Sequence, residues 1–253
     1  MDVIKSLFPR QLEKIPLFTQ DGVDLNGYYA KAEGAKRLFI IIHGLGRSHL
    51  ATVGRWEAVY PHLGSVLFLD LRGHGLSTRR ALITFGDKEA LDVRAAVDRF
   101  KGEYESIVLW GHSMGAAASL KYAGDGGKPS ALILEGMYSS FNNAINVRAN
   151  LWHIPWKPAV SFVKFFFRYI VQVDFEGLDM PHILRRITDV PILLVHSKED
   201  EKVPMASYEK LKAELGGKSR TLLFEYGNHD SIYRTNREEY IKTVEEFIGS
   251  VLS

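Results

Sequence analysis

Ser113 stands at the centre of Gly111-His112-Ser113-Met114-Gly115, a G-x-S-x-G pattern. An apolar run from Ile107 to Trp110 precedes it, and small residues and good helix formers follow as far as Gly124. A serine on so tight a strand-to-helix turn is held in a strained backbone conformation, with its hydroxyl thrust away from the sheet. Gly111 and Gly115 are needed because a side chain at either place would meet the neighbouring strand or helix. The following helix aims free N–H groups and its positive dipole end at any negative charge that forms beside the hydroxyl. Five-residue patterns of this kind also arise as chance glycine-rich turns. Here the strand, elbow and helix come in the required order, which marks Ser113 as a nucleophile.

A serine hydroxyl needs a base within hydrogen-bond reach, and the base needs a carboxylate to fix its tautomer. Nine histidines are present. His229 lies in a polar loop, Tyr226 to Asp230, between the last apolar strand and the last helix. In an α/β sheet that loop opens on the edge where ligands bind. His43 and His74 end strands on the same edge, but each precedes a glycine in a tight turn and is expected to shape a loop. His112 sits in the elbow itself and should point away from Ser113. For the acid, the loop Ser197 to Pro204 offers Glu199, Asp200 and Glu201. As isolated residues all three read as solvated surface charges, and composition does not choose among them. A tetrahedral oxyanion also needs two preorganised donors. Met114 N–H, just after the nucleophile, is one, and Leu45 N–H is the other, with Gly44 letting that backbone approach a substrate.

The elements that must carry these groups follow from periodicity. Two strands, around Glu13–Thr19 and Val23–Ala30, are joined by a turn at Gln20, Asp21 and Gly22. Arg37–His43 and Ser65–Leu71 are near-continuous apolar runs, which suits strands buried on both faces of a parallel sheet. Trp56–Leu63 reads as part of a helix between them. Ala90, Val93, Val97 and Phe100 recur at helical spacing, so Phe85–Lys101 reads as an amphipathic helix. Ala131–Glu135, Pro191–Val195 and Thr221–Phe224 are further strands, with a helix from Met205 to Leu215. In the last helix Asn236 and Glu239 have capping-box spacing, and Tyr240, Ile241, Val244, Ile248 and Val251 form one apolar stripe. Strands alternating with helices mean a mostly parallel sheet covered on both faces, and no linker divides the chain. The alternation breaks between about 138 and 187, where aromatics are dense and no good strand occurs. They include Trp152, Trp156, Phe162, Phe165, Phe166 and Phe167. This stretch reads as a short helical cap inserted in a single domain; the plainer alternative is a packing element without ligand contact.

Composition narrows the function classes. Of 253 residues, 46% are hydrophobic and 25% charged, as in a soluble globular protein, and 32 basic against 30 acidic residues leave a net charge of only +2. No basic run suggests nucleic acid. The absence of cysteine removes disulfides, thiolate metal sites and a cysteine nucleophile. Residues 1–14 show no apolar core followed by a cleavage site, so a cytoplasmic location is expected. The helical run at 159–173 is shorter than a bilayer requires, so no transmembrane segment is expected.

Together these motifs resemble the α/β-hydrolase superfamily of serine esterases and lipases. The resemblance rests on His43-Gly44 and its turn, on Asp70 to Ser77, on the elbow, on Asp200-x-x-Val203-Pro204 and on Asn228-His229. Within it the chain looks most like small esterases related to the prolyl-oligopeptidase-type catalytic domain, though without a propeller. The resemblance implies a triad in the order Ser113, Asp200, His229. Some family members carry the acid one strand earlier, where Glu135 stands. Ser197 departs from a glycine common in the acid loop. The implied activity is a carboxylesterase acting on small-molecule esters, with no cofactor and no metal. A thioesterase, amidase or lactonase on the same triad is the alternative, as is a catalytically silent ligand-binding fold.

Overall fold

A computed structural model describes residues 12–78, 80–151 and 157–252. Eight strands form one sheet: β1 (Glu13–Phe18), β2 (Asp24–Ala30), β3 (Arg37–Ile42), β4 (Ser65–Asp70), β5 (Ser106–His112), β6 (Ala131–Glu135), β7 (Ile192–Ser197) and β8 (Arg220–Phe224). Their spatial order is β1-β2-β4-β3-β5-β6-β7-β8. The first two strands run antiparallel, as does β2 against β4, and every pairing from β4 through β8 is parallel. Around the sheet lie α1 (Glu89–Phe100), α2 (Met114–Gly124), α3 (Phe141–Leu151), α4 (Lys157–Phe165), α5 (Met180–Arg186), α6 (Met205–Lys212), α7 (Ile232–Thr235) and α8 (Arg237–Val251).

The apolar runs expected to be covered on both faces are so covered. Leu38, Ile40 and Ile42 of β3 join Leu67, Leu109 and Leu132 in a core filled by α1, α2, α5 and α6. Phe39 and Ile41 join Phe68, Trp110 and Ile133 on the other face, under Tyr240, Val244, Phe247 and Ile248 of α8. Successive side chains of a strand point to opposite faces, so one unbroken hydrophobic run supplies both cores.

Three helix readings need correction. Trp56–Leu63 is a 3₁₀ segment, Val53–Ala58, followed by turns. Pro61 has no N–H to continue a helix there. The helix expected from Phe85 begins at Glu89 instead. Phe85 and Gly86 have positive φ, 57° and 104°, and the buried Glu89 carboxylate bends back to accept from Thr84 N and Gly86 N. Asn236 does flank α8, but it is no capping box. Its side-chain amide donates to Tyr226 O and Ile232 O, tying the helix start to the loop that carries His229.

Between β6 and β7 the chain is helical: α3, α4, a π-helical turn at Phe166–Ile170, and α5. Trp152 and Trp156, named above among its aromatics, lie outside the described residues, as do the first eleven residues. No helix among the described residues is long and apolar enough to cross a membrane.

Candidate active site

The elbow has the geometry its glycines predict. Ser113, between β5 and α2, sits at φ 54°, ψ −113°, a region costly for a residue with a Cβ. Its backbone is locked in place: Ser113 N donates to Glu135 O at 2.8 Å, and Ser113 O accepts from Ala117 N at 3.1 Å. A Cβ on Gly115 would lie 2.5 Å from Ile42 O, and one on Gly111 would lie 2.4 Å from Ala116 N. Both glycines are therefore required by contact with backbone.

His229 is buried, and its Nδ1 lies 2.7 Å from Asp200 Oδ2. A carboxylate accepts, so Nδ1 carries the proton and Nε2 is left as the basic nitrogen. The other oxygen, Oδ1, accepts from Lys202 N at 2.9 Å and Val203 N at 2.8 Å, which fixes the carboxylate plane. The neighbours that sequence alone left open do other work. Glu199 accepts from Gly227 N, and Glu201 accepts from His229 N, so all three acids of this loop hold the histidine loop. Among the described residues no hydrogen bond joins Ser113 Oγ to His229 Nε2. The two side chains line the same cavity, and such contacts often tighten only with substrate bound.

Glu135 is placed elsewhere. It is fully buried, and Arg55 reaches it with two nitrogens at 2.6 and 3.1 Å while Tyr240 OH donates at 2.8 Å. Burial alone would raise this carboxyl, but the Arg55 charge and the hydrogen bonds outweigh it and hold it below the usual range. It belongs to a structural ion pair joining β6 to the 3₁₀ segment Val53–Ala58, with a hydrogen bond added from α8.

The remaining histidines shape loops. His43 Nδ1 donates to Gly44 O and its Nε2 accepts from Leu71 N. His74 Nδ1 donates to Arg72 O and its Nε2 accepts from Gly46 N at 2.9 Å. That last bond pins the turn holding Leu45, and Arg47 N closes it onto Gly44 O. Leu45 N–H lies directly before these two anchored amides, and Met114 N–H is the first of its helix, with no partner one turn back. Both residues line the cavity with Ser113. His112 turns away from the nucleophile, as expected, and donates through Nε2 to His229 O at 2.9 Å. Its burial pushes the imidazole down to about 4, so it is neutral.

Two features escaped the sequence reading. Gly136 follows β6 at φ 57°, and a Cβ there would sit 3.2 Å from His229 Cε1 and 3.4 Å from Asp200 Oδ2. The signal was a glycine directly after a strand on the ligand edge. The second is Asp230, paired with both Arg47 and Lys202. Burial would raise its carboxyl, but the two cations outweigh that and hold it down at about 2. His112, His229 and Asp230 offer ligand atoms within 4.8 Å of one another. Two cations flank the Asp230 carboxylate, a poor setting for a metal ion.

Two hollows meet at Ser113 and His229. One is lined by Leu45, Phe85, Met114, Tyr138, Ala144 and Val203 together with Lys202. The other is lined by Gly44, Leu45, Gly46, Arg47, His112, Lys202 and Asp230. The first is the more apolar of the two, and Leu45 and Lys202 line both.

A family model described as the alpha/beta hydrolase family matches residues 39–243, most of the chain and all of this site. The chain belongs to the α/β-hydrolase family. Among solved structures this hydrolase is similar to the Pyrococcus furiosus esterase Pf2001, with a TM-score of 0.77 at 19% identity, covering 96% of this chain and 92% of that one. An esterase from Exiguobacterium antarcticum, EaEST, gives a TM-score of 0.71 at 18% identity, over 94% of this chain and all of that one. At these identities the likeness is one of fold. An uncharacterised protein of Bacillus subtilis (strain 168), YqkD, is 27% identical over 259 residues, 99% of this chain and 83% of its own.

Proposed function

We propose that this hydrolase is a carboxylesterase working through an acyl-enzyme on Ser113, and that it needs no cofactor. The observation that carries the reading is the Asp200–His229 hydrogen bond of 2.7 Å, made on the wall of a cavity that also holds a strained elbow serine. In this reading His229 Nε2 takes the Ser113 proton as Oγ attacks the ester carbonyl. The oxyanion is received by Leu45 N–H and Met114 N–H, and Asp200 stabilises the imidazolium. Collapse of the tetrahedral species breaks the bond to the alcohol, which leaves with the proton from His229. Water then repeats the sequence on the acyl-enzyme, with His229 as base again, and frees the acid. The more apolar hollow suits the acyl chain and the more polar one the leaving alcohol. Tyr138 and Ala144 line the more apolar hollow, which supports reading 138–187 as a cap.

The test pairs labelling with turnover. A fluorophosphonate should label the wild type at Ser113, and p-nitrophenyl esters of short acyl chains should be hydrolysed. Ser113→Ala should lose both while unfolding at the wild-type temperature, since it removes one oxygen and adds no volume. A folded Ser113→Ala enzyme that kept more than a few per cent of the rate would overturn the assignment. Labelling without ester turnover would shift the substrate to a thioester, amide or lactone. Absence of labelling would leave a silent binding fold.

A further inference from the structure

The segment from Lys157 through Ile170, made of α4 and the π-helical turn, carries its apolar side chains on the wrong side. Phe162, Val163, Phe165, Phe166, Tyr169 and Ile170 are exposed by 68, 37, 54, 39, 60 and 64%. They account for six of the eleven large hydrophobic residues exposed among the described residues, all within nine positions. Scattered exposed apolar residues are ordinary, but a contiguous aromatic patch is a contact surface. The inner face is satisfied separately. Val160 and Phe167 pack on the core, with the Phe167 ring 5.6 Å from Phe85 and 5.5 Å from Phe141. The exposed face is therefore surplus to folding.

Charge selects the occupant. Lys157, Lys164 and Arg168 are basic, and no acidic residue occurs from 157 through 173. A second copy meeting this face isologously would bring Lys164 and Arg168 towards their own symmetry mates, which is unfavourable. An anionic lipid surface complements both components: aromatic rings enter the headgroup boundary and basic side chains meet phosphate. Length fits a helix lying on a bilayer rather than crossing it, because fourteen residues span only about 21 Å at the helical rise.

We propose that this segment docks the protein on anionic membrane surfaces. The anchor Phe167 touches Phe85, a wall of the more apolar hollow beside Ser113, so the docked face adjoins the cavity. Binding can be read without turnover, so this inference and the esterase reading stand or fall separately.

The experiment is co-sedimentation of the full chain with sucrose-loaded vesicles of phosphatidylcholine, alone or mixed with phosphatidylglycerol. The wild type should pellet with the mixed vesicles, roughly thirtyfold more tightly than with phosphatidylcholine alone, given the two basic side chains of Lys164 and Arg168 near the surface. Ser113→Ala should pellet equally well. The triple variant Phe162→Ser/Phe165→Ser/Ile170→Ser should stay in the supernatant while unfolding at the wild-type temperature. Lys164→Gln/Arg168→Gln should keep the weak binding and lose the preference for phosphatidylglycerol. Wild-type protein left in the supernatant with both vesicles overturns the proposal, as does a triple variant that still pellets. A wild-type dimer by light scattering that the triple variant converts to monomer assigns the patch to a second copy and also overturns it. If the triple variant does not fold, an unchanged lipid preference in the charge variant overturns it.

Discussion

Asp200 and Glu135 are both buried carboxylates at the ends of neighbouring strands, yet their surroundings assign them different work. Asp200 accepts from His229 Nδ1 and two backbone amides, whereas Glu135 is saturated by Arg55 and Tyr240. Asp200→Asn should therefore leave the fold intact and cost about 10⁴ in turnover, because the amide favours the wrong imidazole tautomer. Glu135→Gln should do the reverse. It leaves the Arg55 guanidinium buried without its counter-charge, a loss of roughly 3–5 kcal/mol, while the turnover of what remains folded stays near normal. Thermal unfolding and ester turnover measured on both variants check the pair of outcomes. A dead but stable Glu135→Gln beside an active Asp200→Asn would move the acid to Glu135.

At the scale of elements, the loops after the strands decide how closely the groups approach. A Cβ at Gly136 would press against His229, so Gly136→Ala should push the imidazole by a few tenths of an ångström. About tenfold in turnover should be lost, with a destabilisation of about 1–2 kcal/mol from the positive φ. Turnover and thermal unfolding of that one variant measure both. This glycine also shows where sequence reading stops. Unbroken apolar runs announced β3 through β7, and the G-x-S-x-G spacing announced the elbow, because both are local patterns. The meeting of Gly136 with His229, or of Arg55 with Glu135 80 positions away, is made by the crossing of the sheet and leaves no local trace. Local patterns also misled where tertiary contacts won. The helical period of α1 extended on paper to Phe85, but the Glu89 carboxylate satisfies the Thr84 and Gly86 amides in a loop instead. Asn236 had the spacing of a cap and serves as a strut to Tyr226 O.

For the molecule as a whole, buried neutral histidines, His43, His112 and His196, weaken the fold in acid. Burial pushes His43 and His112 from 6.5 down to about 4. A base with a depressed value binds its proton later in the folded state than in the unfolded one, so the histidines' contribution to stability is complete above about pH 6.5 and is lost towards 4. The unfolding temperature should drop across that window, before the Glu135 and Asp230 carboxylates titrate, and His112→Gln should flatten the slope. A slope unchanged by that substitution would remove His112 from the account. The sheet order bears on assembly as well. The serine is carried on β5, but the proposed acid and base follow β7 and β8, the last two strands both in sequence and across the sheet. A chain cut before β7 would thus carry an elbow serine without its acid or base. Activity would require the last strand, making the reaction itself a report that the sheet is complete.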